Sequence, residues 1–92
     1  MIRSFAHKGL RLLFEDDNTK GVNAEHGRKI AQILAVLHAA ETIEALRLPT
    51  FRLHELKGDL EDRWAGAVRA NWRIIFRVEH GDAFDVDLVD HH

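Results

Sequence analysis

The stretch RWAGAVRANWRIIFRVEHGDAFDVDLVD (residues 63–90) decides the fold, because its apolar residues recur at every second position. Alternation of this kind predicts β-strands that bury one face. The breaks at Ala70-Asn71 and His80-Gly81 have hairpin length, so an antiparallel sheet of three or four consecutive strands is expected. The residues predicted for the buried face are Trp64, Val68, Trp72, Ile74, Phe76, Val78, Val86 and Leu88. In the last strand, Phe84 is expected to alternate with Asp85 and to share the side of Val86.

Ahead of this sheet, the apolar period is helical. Ile30, Ile33, Leu34 and Leu37 lie on one face, which predicts a helix of about 18 residues after an N-cap at Asn23. The remaining predicted elements are a strand at 2–7, helical turns at 8–14, a short helix at 42–46 that ends by Pro49, a strand at 51–54 and a turn at 56–62. Because neither apolar surface can bury itself alone, the helix must cover the sheet. The sequence thus predicts one α+β domain over residues 1–92.

The composition excludes several classes of protein. The chain has 92 residues, no Cys, 46% hydrophobic residues and a net charge of −2. Without Cys there is no thiolate catalysis, disulfide or Cys-based zinc site. No apolar run approaches the roughly 18 residues of a membrane span, and the N-terminus lacks the features of a signal peptide. A cytoplasmic protein with no membrane association is therefore expected.

The second face of the predicted sheet is rich in arginine. Alternation with the core residues places Arg52, His54, Arg63, Arg69, Arg73 and Arg77 there. Guanidinium groups carry a permanent charge and a fork of donors that suits phosphate, so this face is a candidate anion-binding surface. A solvated polar face with ion pairs to Glu55, Asp85 or Asp87 is an equally valid interpretation of the alternation.

Four strings in the chain resemble one protein family. MIRSFAHKGLRLLFE (1–15), RLHELKGDLEDRW (52–64), VRANWRIIF (68–76) and VDLVDHH (86–92) together resemble the HigB-type toxins of bacterial type II toxin–antitoxin pairs, within the RelE-like group. The resemblance covers nearly the whole chain in order. It implies two N-terminal helices packed on a four- to five-stranded, mainly antiparallel sheet.

The resemblance also implies an activity and its partners. It implies a ribosome-dependent, metal-independent endoribonuclease that needs no cofactor and cuts messenger RNA in the A site of the 30S ribosomal subunit. It further implies a HigA-type helix-turn-helix antitoxin, with operator DNA bound only through that antitoxin. A catalytically weak or inactive toxin-like module that only binds its antitoxin is the alternative.

The family motifs place the catalytic residues by resemblance. His54 and Lys57 lie in RLHELKG, Arg73 lies in NWR, and Asp90 and His92 match a terminal Asp-X-His. Relatives commonly have Tyr where this chain has His91. The arginines Arg52, Arg63, Arg69 and Arg77 are predicted to bind RNA or the ribosome. The pair His91-His92 could alternatively be the start of a His tag after a chain that ends at Asp90.

These residue types suit RNA cleavage without a metal. The 2′-OH attacks the adjacent phosphate, which requires a base, donors to the phosphate and an acid for the leaving 5′-oxygen. Histidine titrates near neutral pH and suits the first and third tasks, while Lys57 and Arg73 suit the second. The sequence does not assign base and acid among the histidines.

Two further interpretations concern histidine and tryptophan. His54, His80, His91, His92 and Asp90 could supply metal ligands, but no HxxxH or HExxH pair lies on the predicted helix, so no metal is expected. Trp64 and Trp72 could stack on bases, yet their alternation with core residues favours the core. No role is predicted for His7, His26, His38 or His80.

Overall fold

The architecture is two helices packed on one face of an antiparallel sheet, in a computed structural model that describes residues 1–58 and 62–90. The helices are α1 (Lys8–Asp16) and α2 (Gly27–Ala39), followed by a 3₁₀ turn at Ile43–Leu46. The strands are β1 (His54–Glu55), β2 (Arg63–Arg69), β3 (Trp72–Glu79) and β4 (Asp82–Asp90), and they lie in the order β1-β2-β3-β4. The predicted α+β fold is confirmed. In the part of the chain described, no helix has the length and apolar character to cross a membrane.

The core lies between the helices and the sheet, as the two apolar patterns predict. Ile74, Phe76 and Val86 of the sheet and Ile30 and Leu34 of α2 are fully buried. Burial of each such side chain contributes roughly 1.5–3 kcal/mol, so these contacts hold α2 on the sheet. The two tryptophans are partly buried and pack against this core, in agreement with the prediction.

Two predicted elements are shorter than expected. α2 begins at Gly27 and has 13 residues, because Asn23 forms a separate turn: its side chain accepts from the backbone N–H of Glu25 at 2.9 Å, and its carbonyl accepts from that of His26. The N-cap position is occupied by His26, so the prediction of Asn23 was wrong. The strand at 51–54 reduces to β1 because Arg52 has a left-handed φ of 51°, which interrupts the extended backbone.

A bulge in β4 overturns the predicted side of Phe84. Arg77 pairs with Phe84 but Ile75 pairs with Asp87, so β4 has one residue more than β3 between these pairs. Asp85 lies within this bulge with a left-handed φ of 54°. Phe84 therefore shares the side of Arg77 and not that of Val86, and Ala83 takes the buried position.

A second irregularity displaces Arg69 from the predicted arginine face. Ala67 pairs with Arg73, but Arg69 pairs with Trp72, so the ladder shifts by one residue near the end of β2. Val68 keeps its predicted buried position. Arg69 lies exposed opposite a residue that packs on the core, so its assignment to the row of Arg73 was wrong.

The N-terminal segment lies beside β4, but the strand predicted at 2–7 is reduced to two isolated bridges, and His7 already caps α1. Ile2 and Phe5 form isolated parallel bridges with Ala83 and Val86. Asp82 holds this segment through the Met1 amino group at 3.2 Å and the Arg3 Nε at 2.8 Å. The four described strands are antiparallel, and the N-terminal segment adds a short parallel neighbour beside β4. The sheet is therefore mainly antiparallel.

Three histidines without a predicted role support the structure. The Nδ1 atom of His7 accepts from the backbone N–H of Leu10 at 3.1 Å and caps α1. The Nδ1 atom of His38 accepts from the backbone N–H of Ile2 at 3.2 Å. His26 is buried at the start of α2 and packs against Trp72, with ring centroids 6.0 Å apart.

The Asp82 contacts predict a dependence of stability on pH. The hydrogen bond from Arg3 holds the pKa of the Asp82 carboxyl below its usual value, and the Met1 amino group acts in the same direction. The stabilisation is therefore fully present above the unfolded-state pKa, near pH 4, and is lost as the pH falls through the lower folded-state pKa.

We expect Asp82→Asn to lower the free energy of unfolding at neutral pH and to flatten its decline below about pH 4. Denaturant titrations across this range measure both effects. Glu15→Gln removes the same charge from the exposed end of α1 and serves as the control. Equal pH profiles for the two variants would contradict the assignment.

Candidate active site on the open sheet face

The sheet face turned away from the helices carries His54, Arg63, Arg73 and Arg77 of the predicted functional residues, and we call it the open face. Because cross-strand partners point to the same side, register defines its members. One row joins His54, Ala65, Ile75 and Asp87 across all four strands. The rows on either side contain Ala67, Arg73 and Val89 towards the end of β4, and Arg63, Arg77 and Phe84 towards its start.

Arg73 lies on the open face near the start of β3, in the row next to the β2–β3 hairpin tip. Its Nη1 donates to the backbone carbonyls of Ala70 at 2.8 Å and Trp72 at 3.0 Å. These bonds tie the guanidinium to the β2–β3 hairpin tip, where Ala70 has a left-handed φ of 52°. Asp90 follows Val89, the β4 partner of Arg73, and is itself opposite Trp72. Register therefore places Asp90 on the side of Trp72, which packs against the core, and not beside Arg73 on the open face.

His54 lies at the outer edge of the sheet, on β1, and is exposed. Its Nδ1 is 3.0 Å from the backbone carbonyl oxygen of Arg52. A carbonyl can only accept, so Nδ1 carries a proton in this contact and Nε2 of the neutral ring keeps its lone pair. The left-handed backbone of Arg52 thus orients the imidazole and leaves its basic nitrogen facing away from that carbonyl.

The segment that carries His54 is anchored by an aromatic ring on a glycine. Phe51 is buried and lies against Gly66 of β2, so closely that a Cβ at Gly66 would overlap the ring. The Phe51 carbonyl also accepts from the backbone N–H of Ala67. Three residues later His54 pairs with Ala65, so the ring fixes where β1 meets β2.

The predicted catalytic residues that are described lie spread across the sheet. His54 is on the first strand and Asp90 on the fourth, so three strand spacings of about 4.8 Å lie between their backbones, and Asp90 is also three residues further along β4 than Asp87, which ends the row of His54. Lys57 is exposed just beyond β1. None of the cavities found among the described residues is lined by His54, Lys57, Arg73 or Asp90. The arrangement suits a ligand that lies along an open surface. His91 and His92 lie outside the described residues.

The predicted RNA-binding arginines fall into two groups. Arg52 and Arg69 are exposed, and the described residues show no ion pair to either of them. Arg63 and Arg77 both face Asp85, with nitrogen–oxygen distances of 3.5 Å. Arg77 also pairs with Glu79 and lies 4.9 Å from the Phe84 ring centroid. The interpretation as a polar face with internal ion pairs therefore holds for the second group.

Two contributors to the open face, Phe84 and Ser4, cannot be recognised from the sequence pattern. Phe84 reaches it only through the bulge, which has no signal in an alternating pattern. Ser4 reaches the open face because the N-terminal segment lies beside β4. The Ser4 hydroxyl accepts a hydrogen bond from the backbone N–H of Asp85 at 2.9 Å. In the described ranges no three His, Asp or Glu side chains are grouped as a metal site would require.

Comparison with known proteins agrees with the family resemblance. A family model described as the RelE-like toxin of the type II toxin–antitoxin system HigB matches residues 3–92. A protein of Proteus vulgaris named endoribonuclease HigB is 46% identical over 92 residues, which is the full length of both chains.

The Phe51 contact generates a prediction about stability. Gly66→Ala places a methyl group into the Phe51 ring, so we expect a loss of about 1–3 kcal/mol in the free energy of unfolding, typical of overpacking. Phe51→Leu removes the obstructing ring atoms. In the double variant the cost of Gly66→Ala should therefore be much smaller than in the wild-type background, as measured by denaturant titration. An unchanged cost would show that the ring is not the obstacle.

Proposed function

Because the chain belongs to the HigB-like family of RelE-like toxins from type II toxin–antitoxin systems, we propose that it is a ribosome-dependent endoribonuclease that cleaves messenger RNA in the A site. The observation that carries the proposal is the exposed imidazole of His54, held through Nδ1 with Nε2 available, on the same open face as Arg73. A base and a phosphate ligand on one uncovered surface suit an extended RNA strand.

The proposed reaction uses the substrate's own 2′-OH. The 2′-oxygen attacks the adjacent phosphorus and the bond to the 5′-oxygen breaks, leaving a 2′,3′-cyclic phosphate and a 5′-hydroxyl. We assign the base to Nε2 of His54, which takes the proton of the 2′-OH, and the acid to His92, which protonates the leaving 5′-oxygen. Arg73 and Lys57 stabilise the charge that develops on the phosphate.

The remaining residues have supporting roles in this proposal. Asp90 orients an imidazole near the end of β4, and the ring of His91 stacks on the substrate where relatives commonly have Tyr. Arg52 and Arg69 are exposed and offer phosphate contacts to RNA of the message or ribosome. Side chains thus supply the base, the acid and the phosphate ligands, so the proposed reaction requires neither a metal nor a cofactor.

The openness of the site supports ribosome dependence. A strand lying on a sheet face is held from one side, and in-line attack requires that the 2′-oxygen, the phosphorus and the 5′-oxygen be aligned. The ribosomal A site holds the message and can supply that constraint. We therefore place the activity in the cytoplasm, where messages are translated.

Membership of a type II family implies an antitoxin partner. We propose that this partner is of the HigA type, with a helix-turn-helix domain, and that operator DNA is contacted through it. The net charge of −2 supports the indirect contact with DNA, since a direct duplex binder is usually strongly basic.

Ribosome dependence is tested with matched messages. We expect cleavage on programmed 70S ribosomes, negligible cleavage of the same RNA without ribosomes, and no cleavage when the nucleotide 5′ of the cut carries 2′-deoxyribose. Addition of a chelator at a concentration that leaves ribosomes intact should not change the rate. Comparable cleavage of free RNA would refute ribosome dependence, and no cleavage under either condition would favour the pure binding module.

The histidine assignments are tested by single-turnover rates on programmed ribosomes. His54→Ala and His92→Ala should each lower the rate by about 10²–10⁴, the range for loss of a general base or acid. His91→Phe keeps a flat ring and should cost far less. In the pH–rate profile, each Ala variant should lose the limb that its histidine supplies. A His92→Ala enzyme with near wild-type rate, or a His91→Phe enzyme as inactive as His92→Ala, would overturn the assignment.

A further inference from the structure

Two arginines on neighbouring strands share one carboxylate on the open face. Arg63 and Arg77 are direct cross-strand partners on β2 and β3. The Oδ2 atom of Asp85 lies 3.5 Å from Nη1 of Arg63 and 3.5 Å from Nη2 of Arg77. A single anion therefore sits between two guanidinium groups, which is the arrangement that a pair of arginines also makes around an RNA phosphate.

The Asp85 carboxylate does not fill the hydrogen-bonding capacity of these two arginines. The contact to Arg63 is an ion pair without hydrogen-bond geometry, and Nη1 of Arg63 is buried with no hydrogen-bond acceptor among the described residues. Arg77 has further contacts, because Glu79 pairs with it and the Phe84 ring lies against it. Asp85 is therefore the ion-pair partner of Arg63 among the described residues, and it bonds Arg63 less well than it bonds Arg77.

The backbone places Asp85 at this position at some conformational cost. Its left-handed φ of 54° is unusual for a residue with a side chain, although Asp and Asn tolerate it better than most. The Ser4 hydroxyl supports the geometry by accepting from the Asp85 backbone N–H at 2.9 Å. The bulge, the N-terminal segment and the two arginines thus converge on one carboxylate.

We propose that Asp85 acts as an internal substitute for a phosphate and reduces the affinity of the free toxin for RNA that is not on the ribosome. The proposal rests on the function proposed above. With the carboxylate in place, Arg63 and Arg77 contribute little to binding of free single strands. The exposed Arg52 and Arg69 and the ribosome itself then decide which RNA is held. Asp85 is in this sense a specificity-determining residue that does not touch the reacting atoms.

The test compares two variants with the same charge change. Asp85→Asn keeps the tolerance for left-handed φ and removes the carboxylate between the arginines. Asp87→Asn is the matched control, because Asp87 lies on the same strand and open face and its carboxylate accepts from the adjacent Leu88 N–H. The probe is a fluorescent single-stranded RNA with 2′-O-methyl groups, which cannot be cleaved through its 2′-oxygen.

We expect Asp85→Asn to bind this probe at least about threefold more tightly than Asp87→Asn at low salt, in line with the modest worth of a partly exposed ion pair. Its salt dependence should be steeper by about 0.7 for each phosphate newly contacted. Adding Arg63→Gln to Asp85→Asn should abolish the gain. Equal affinities for the two single variants, or a gain that survives Arg63→Gln, would overturn the proposal.

Two further measurements keep the outcome decisive. If Asp85→Asn does not fold, as judged by its thermal transition, Asp85→Gly removes the carboxylate at a φ that glycine adopts freely. Free probe should also inhibit ribosomal cleavage by Asp85→Asn more strongly than cleavage by Asp87→Asn. Because binding of the probe needs no catalysis, it is measurable even if the wild-type chain does not cleave on ribosomes. Failure of this proposal and failure of the proposed function are therefore distinguishable.

Discussion

Burial of Ile74, Phe76 and Val86 beneath α2 is the constraint on which the rest of the structure depends. Side chains alternate along a strand, so each residue that enters the core sends its neighbours to the other side. Arg73 and Arg77 flank two of these buried positions and are therefore displayed on the open face. The packing that stabilises the fold thus also assembles the surface that would meet RNA.

This coupling explains why much of the fold could be predicted from the sequence. The alternation around β3 and the helical spacing from Ile30 to Leu37 each involve several residues, and both patterns end in the same core. His54 and Arg73 could be placed because they lie in motifs whose strands follow that alternation. The family assignment rested on the same strings and agrees with the comparisons.

The unpredicted features arise where a single residue breaks the pattern. One additional residue in β4 moves Phe84 to the open face and places Asp85 between two arginines, yet it changes neither composition nor hydropathy. The left-handed backbone at Arg52, which orients His54, also cannot be recognised from the sequence, because arginine has no special preference for that conformation. Local backbone geometry of this kind depends on tertiary contacts that only the folded chain supplies.

The sheet also has consequences through its edges. An outer strand with free backbone groups invites pairing with another strand, which leads to aggregation or to recognition by strand addition. On the β4 side the N-terminal segment occupies this position through Ile2 and Phe5. On the other side β1 has two residues and begins just after the left-handed Arg52. The described sheet is therefore shielded from strand addition between Ala83 and Val86 and offers only a two-residue strand at its other edge, so along these stretches a partner must be recognised by its contacts with side chains.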